Sequence, residues 1–112
     1  IPFYVHIRDE PVFAFAGLYD TWSNPAGTTL STYTIITTAP NTLMAPVHNR
    51  MPVIVQPEDE KRWIYPGQLG AEDLNRIFSP YPSGEMEIYP VSDRVNSPSA
   101  DDEKVIEPLK GL

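Results

Sequence analysis

Through residue 55 the apolar positions follow strand spacing, and beyond it they change to helical spacing. "FYVHIR" (3–8) sets Phe3, Val5 and Ile7 on one face and Tyr4, His6 and Arg8 on the other, and "DEP" supplies the turn that ends it. "VFAFAGLYD" (12–20) is apolar almost throughout, the pattern of a strand covered on both faces. Asn-Pro and Gly in "SNPAGTTLS" (23–31) predict a loop, after which "TYTIITTA" (32–39) is a strand with hydroxyls at Thr34, Thr37 and Thr38. "PVIV" (52–55) is the fourth strand candidate.

Helical signals follow. In "PEDEKRWIY" (57–65) Pro57 suits a first turn, acidic residues complement the helix N-terminus, and Glu58 and Arg62 are spaced for an i,i+4 pair. "AEDLNRIF" (71–78) places Leu74, Ile77 and Phe78 on one side, enough to dock a second short helix on a sheet. "MEIYPVS" (86–92) predicts another strand. The remainder, 95–112, is expected to be an irregular tail, with Val105, Ile106 and Leu109 available to pin it to the body.

Composition narrows the class. A chain of 112 residues with 41% hydrophobic content can build one modest core, so a single domain is the ceiling. No apolar run approaches the roughly 20 residues of a membrane span, and no membrane partner is expected. The absence of cysteine removes disulfides, thiolate chemistry and sulfur-ligated zinc from these residues. Opening on Ile1 within strand-like sequence is compatible with processing and with a cut through a larger domain. The net charge of -7 argues against a strong nucleic-acid binder, because polyanions are met by clustered Lys and Arg. Most of the acid lies after residue 57, however, and residues 1–50 set Arg8 and Arg50 against Asp9, Glu10 and Asp20. A near-neutral patch in the first half can coexist with an acidic remainder.

Candidate chemistry concentrates at one place. His6 and His48 are the two histidines, and with no HExxH and no close His/Asp cluster the sequence gives no metal site and implies no cofactor. Phosphate-loop, dinucleotide and GxSxG patterns are absent, and Ser83 in "YPSGE" suits a turn. "VHNRMPVIV" (47–55) places His48, Asn49 and Arg50 just before the last strand of the first half. A histidine at a sheet rim can exchange protons with a substrate, and an arginine beside it can meet phosphate through fork hydrogen bonds. Equally, His48 can be a structural hydrogen-bonding residue, Arg50 can pair with a carboxylate, and Asn49 can cap or orient the turn.

"HNRMPVI" closely resembles the H-x-R-M-P motif of the SRAP (SOS-response-associated peptidase) family, which includes YedK-like and HMCES-like abasic-site proteins. Further elements resemble the family in order: "IPFYVHI", "FAFAGLYDTW", "TYTIITTAPN", "PEDEKRWI" and "MEIYPVSDRVNSP". The resemblance implies that 1–112 is the C-terminal part of a single SRAP-like domain, incomplete at its N-terminus. The fold implied is α+β, a mainly antiparallel, barrel-like sheet with short peripheral helices. The function implied is capture of abasic sites in single-stranded DNA. A cysteine exposed at the second position forms a thiazolidine with the opened sugar, and autoproteolytic (peptidase) processing applies where residues precede that cysteine. The family's cysteine, its glutamate in G-W-Y-E-W and its N-terminal asparagine have no counterpart here, so this chain alone is expected to be inactive.

By resemblance, His48 matches the catalytic histidine that protonates the sugar oxygen as the ring opens. Arg50, Thr37 and Thr38 match DNA-contacting positions. Asn49 replaces the more frequent Asp, Met51 and Pro52 lock the loop and start the strand, and Asp20 and Trp22 are wall residues. The implied location is cytoplasmic, nucleoid-associated when bound to damaged DNA. The alternative is a noncovalent nucleic-acid or protein-interaction module with no catalysis. Sheet strands lacking neighbours also predict self-association of the chain.

Overall fold

The computed structural model describes residues 1–110. Eight strands and two helices run in the order β1 (Phe3–Ile7), β2 (Ala14–Phe15), β3 (Gly17–Ser23), β4 (Thr29–Ile35), β5 (Thr37–Thr38), β6 (Met51–Pro52), β7 (Ile54–Val55), α1 (Glu60–Ile64), α2 (Ala71–Phe78) and β8 (Met86–Pro90). The chain divides into two compact units, one formed by Ile1–Pro11 with the stretch from Ser83 onward, the other by Val12–Pro82.

The α+β content matches expectation, but the barrel-like sheet does not. The strands form four separate two-stranded antiparallel sheets, β1–β8, β2–β7, β3–β4 and β5–β6, and none of them closes into a barrel. The physical reason lies in the Val12–Pro82 unit, at Ala16, Ile36 and Val53. Each interrupts a strand-like run, and their backbones bond in a ring: Ala16 N–H donates to Val53 O (2.8 Å), Val53 N–H to Ile36 O (2.8 Å) and Ile36 N–H to Ala16 O (2.9 Å). On either side of this junction each segment changes partner, so "VFAFAGLYD" and "TYTIITTA" each split in two and "PVIV" divides between β6 and β7. Ala16 and Val53 are fully buried there, and with Val55 and Ile77 they form the core, against which Ile36, Trp63, Leu69 and Phe78 pack. No buried polar group is wasted at the junction, since each of the three N–H groups finds a carbonyl.

α2 buries its expected face: Ile77 is buried, and Phe78 meets Trp63 edge-on with ring centroids 5.8 Å apart. The segment 57–65 is shorter as a helix than the sequence predicts, because Pro57–Asp59 forms a 3-10 turn before α1 begins. The expected Glu58–Arg62 pair does not form. Arg62 instead reaches Asp73 (2.8 Å), and Arg76 joins Asp73 (3.1 Å) to the buried Asp59 (2.6 Å). The Arg76 hydrogen bond holds the Asp59 carboxyl below the ordinary carboxylate range, against the opposing effect of burial and with help from the charges of Arg76 and Arg62.

The β3–β4 hairpin corrects a second expectation. Its turn is closed by Asn24, whose Oδ1 accepts Thr28 N–H (2.9 Å), with Gly27 at φ 86°. Both faces are open to solvent: Leu18, Trp22 and Leu30 are exposed on one, Tyr19 and Tyr33 on the other, the two tyrosines directly opposite each other and at least 80% exposed. Of the run expected to be covered on both faces, Ala16 is fully buried, but its second half, residues 17–20 in this hairpin, is covered on neither.

In the other unit β1 pairs with β8 in register Phe3↔Pro90 to Ile7↔Met86, and Ile7, Met86 and Val91 are buried. Tyr4, His6 and Tyr89 cluster on one face, with His6 Nε2 3.6 Å from Glu87. The tail is irregular apart from 3-10 turns at Asp93–Asn96 and Glu103–Ile106. It is pinned mainly through polar contacts, Tyr89 O–H donating to Ile106 O (2.5 Å) and Leu109 N–H to Pro90 O (2.8 Å). The expected irregular tail extends to residues 111–112, which lie outside the described residues. No helix among the described residues is long and apolar enough to cross a membrane.

Candidate functional site

The residues singled out in "VHNRMPVIV" converge at the end of the β5–β6 pair, within the Val12–Pro82 unit. β5 ends the long run that began at β4, and β6 returns antiparallel with Thr37 opposite Pro52 and Thr38 opposite Met51. The connection between them carries His48. Met51 is buried at 1% exposure, and its sulfur accepts the Asn41 N–H at 3.4 Å, which anchors the end of that connection in the core. Pro52 starts the returning strand beside it. Met51 thus has the geometry of a fixing residue.

Arg50 is exposed and folds back on Thr37. Its Nη2 donates to Thr37 O (2.8 Å) and to Thr37 Oγ1 (3.1 Å), and its Nε donates to Thr37 Oγ1 (3.2 Å). The Nε–Nη2 edge of the guanidinium is therefore engaged by one residue across the strand pair, and Nη1 lies outside that chelate. This arrangement fixes the direction of the positive charge without neutralising it, because neither Thr37 group is ionised.

His48 is exposed and tied to the backbone of Arg50. Its Nδ1 lies 3.1 Å from Arg50 N and 3.0 Å from Arg50 O. A neutral ring can accept the Arg50 N–H at Nδ1, whereas a ring protonated at Nδ1 donates to the Arg50 carbonyl. One ring nitrogen thus has a partner in either protonation state, which leaves Nε2 as the atom able to serve a substrate. The cationic ring can give up its Nε2 proton while keeping the Nδ1–H bond to Arg50 O, the arrangement a general acid requires.

The other expected site residues are less concentrated. Thr38 is half-buried in the ladder opposite Met51, and Asn49 is exposed between His48 and Arg50. Asp20 and Trp22 stand on the β3–β4 hairpin opposite Thr32 and Leu30, and Asp20 Oδ1 accepts the N–H of its neighbour Thr21 (2.9 Å). They are exposed hairpin residues, and Asp20 bonds to its own neighbour in the strand. Among the described residues no cluster of three or more His, Asp or Glu side chains could hold a metal ion.

One residue at the site escaped the sequence reading. Asn41 opens the connection, where its side-chain Nδ2 donates to Tyr81 O (2.6 Å) and its Oδ1 accepts the Met44 N–H (3.0 Å). "APN" reads only as a loop signal, and the partner on Tyr81 lies forty positions away in sequence. A Pro-Asn pair before a turn was the available hint.

Comparison with known proteins adds to this geometry. Residues 1–98 match the family model described as SOS response associated peptidase (SRAP). The chain is 45% identical over 107 residues to "Abasic site processing protein YoqW" of Bacillus subtilis, across 96% of this chain and 48% of that protein. It is 32% identical over 90 residues to "Abasic site processing protein HMCES" of Xenopus tropicalis, across 79% of this chain and 26% of that protein. A crystal structure of a protein from Bacteroides thetaiotaomicron superposes with a TM-score of 0.84 at 29% identity, covering 97% of this chain and 48% of that one. The chain therefore spans about half the length, or less, of these relatives.

Proposed function

The chain belongs to the SOS response associated peptidase family, and from that premise we propose that the intact protein captures abasic sites in single-stranded DNA as a covalent thiazolidine adduct. The observation that carries this reading is the His48–Arg50–Thr37 group: a solvent-facing imidazole with one nitrogen held by backbone, beside a guanidinium held in a fixed direction. His48 protonates the sugar oxygen as the ring opens. Arg50, with Thr37 and Thr38, meets the DNA backbone, using the Nη1 donors that lie outside the Thr37 chelate.

The nucleophile comes from outside these 112 residues, which contain no cysteine. In the reaction the terminal amine of that cysteine adds to the ring-opened aldehyde and loses water to give an imine. The thiolate then adds to the imine carbon, and a proton on nitrogen completes the thiazolidine. No oxidant or further reactant is needed. By itself this chain does not crosslink abasic DNA, and peptidase action applies only to a leader preceding the cysteine. The protein acts in the cytoplasm, at the nucleoid when DNA is damaged.

His48→Ala tests the assignment. Adduct formation with abasic single strands should slow by about 10²–10⁴-fold, the usual worth of a positioned general acid, while noncovalent affinity for the DNA changes little. An unchanged adduct rate would remove His48 from the chemistry.

A noncovalent nucleic-acid or protein-interaction module is the second reading, favoured by the engagement of Arg50 with Thr37, while the charge of -7 suits either reading. It predicts binding that His48→Ala leaves unaltered, and no adduct at any time.

A further inference from the structure

The connection between β5 and β6 has no strand of its own, yet it must hold His48 steadily enough for directed proton transfer. Surface connections are mobile unless tied down, so the tether of this one decides where the imidazole stands. We propose that Asn41 is a positioning residue for His48. This deepens the functional reading given above and rests on it.

The argument is a continuous run of hydrogen bonds inside the Val12–Pro82 unit. Asn41 Nδ2 donates to the carbonyl of Tyr81, whose side chain is buried, at 2.6 Å, which fixes the start of the connection to a separate part of that unit. Asn41 Oδ1 accepts the Met44 N–H (3.0 Å), and Asn41 O accepts the Ala45 N–H (2.9 Å), which winds the first turn. Met44 O then accepts both the Val47 N–H (2.8 Å) and the His48 N–H (3.0 Å). From His48 the run passes through Nδ1 to Arg50 N (3.1 Å) and through the Arg50 guanidinium to Thr37 (2.8 Å). Two successive helical-type turns thus relay the position of Asn41 to the ring. A third tie, from the Asn41 N–H to Met51 Sδ, joins the start of the connection to its end.

The residue type fits the task. An amide carries its donor and its acceptor on two separate atoms of one short side chain, so it can give to a carbonyl and take from an N–H at two places at once. Aspartate keeps the acceptor for Met44 N–H but sets an oxygen against Tyr81 O. Alanine loses both bonds. An asparagine that merely caps a turn exists elsewhere in the chain, at Asn24 in the β3–β4 hairpin, and it supplies a matched control.

The test uses the intact protein carrying Asn41→Ala, Asn41→Asp, Asn24→Ala, His48→Ala, and the double variant Asn41→Ala/His48→Ala. The primary readouts are the rate of adduct formation with abasic single-stranded DNA as a function of pH, and the imidazole nitrogen resonances of His48. Asn41→Ala should slow the adduct by about 10- to 100-fold, the scale of a misplacement near 1 Å, with noncovalent DNA affinity altered less than about twofold. Asn41→Asp should fall between it and the parent, and Asn24→Ala should match the parent. In the His48→Ala background Asn41→Ala should slow the reaction no further, because the two act through one group. Equal slowing in both backgrounds, or a His48 spectrum unmoved by Asn41→Ala, would overturn the proposal. If the parent forms no adduct the functional reading fails by itself. The His48 resonances then decide the positioning claim, which stands if they shift with Asn41→Ala and not with Asn24→Ala, and falls otherwise.

Discussion

Replacing Met51 with alanine separates fixing from chemistry at this site. Met51 is 1% exposed, its backbone pairs with Thr38, and its sulfur takes the Asn41 N–H. Truncation removes a buried thioether chain and leaves a cavity, a change that costs about 2–5 kcal/mol in well-packed cores. Domains of this size have total stabilities of about 5–15 kcal/mol, so the loss is a large share of what is available. With a urea dependence of about 1–3 kcal/mol per molar, the unfolding midpoint should fall by at least about 0.7 M. Met51→Leu keeps the volume and should cost less than about 1.5 kcal/mol, which keeps the test readable if the alanine variant fails to fold. The assay is urea unfolding followed by circular dichroism, in parallel with adduct formation per folded molecule. A midpoint for Met51→Ala within about 0.3 M of the parent would refute the claim that this side chain anchors the His48 connection.

Thr37→Val removes the hydroxyl that receives two of the Arg50 bonds while leaving the carbonyl in place. Because the pair is exposed, stability should change by less than about 1 kcal/mol, whereas DNA affinity by fluorescence anisotropy should weaken, and by less in an Arg50→Lys background than alone. Asp59 has a folded-state pKa below its unfolded value, so its contribution to stability is complete above about pH 4 and lost as pH falls through the folded value. Thermal unfolding should therefore show an acid limb below about pH 4 that is shallower in Asp59→Asn. The open hairpin predicts self-association of this chain, and light scattering should show less of it for Tyr19→Ser/Tyr33→Ser. A parent chain that stays strictly monomeric would count against that surface.

The helical spacing of "AEDLNRIF" and the alternation of "FYVHIR" were legible because each element keeps one period and one partner: α2 covers 71–78 and β1 covers 3–7 as the patterns predict. The division into four two-stranded sheets was not, because the expected barrel-like sheet required each strand to keep its partner along its length. Ala16, Ile36 and Val53 look like ordinary strand residues, and nothing local announces that their backbones bond to one another in a ring. An apolar run such as "VFAFAGLY" records what a segment can bury, which in this chain differs from what covers it. The pairing of Arg62 with Asp73 in place of Glu58 has the same origin, since the helix is too short for the i,i+4 spacing to apply. At the site, His48 and Arg50 could be named from sequence because they share the contiguous HxRMP pattern, and Thr37 because "TYTIITTAPN" resembles a second family element. Asn41 could not, because its defining bond to Tyr81 depends on tertiary placement.

The most direct measurement of the central claim is a denaturing gel of the intact protein after incubation with single-stranded DNA containing one abasic site, beside the same strand without it and beside this chain alone. A denaturant-resistant band that appears only with the abasic strand and the intact protein, and that forms more slowly with His48→Ala, is the predicted result. The absence of such a band from the intact protein, or its formation at an undiminished rate without His48, would contradict the account.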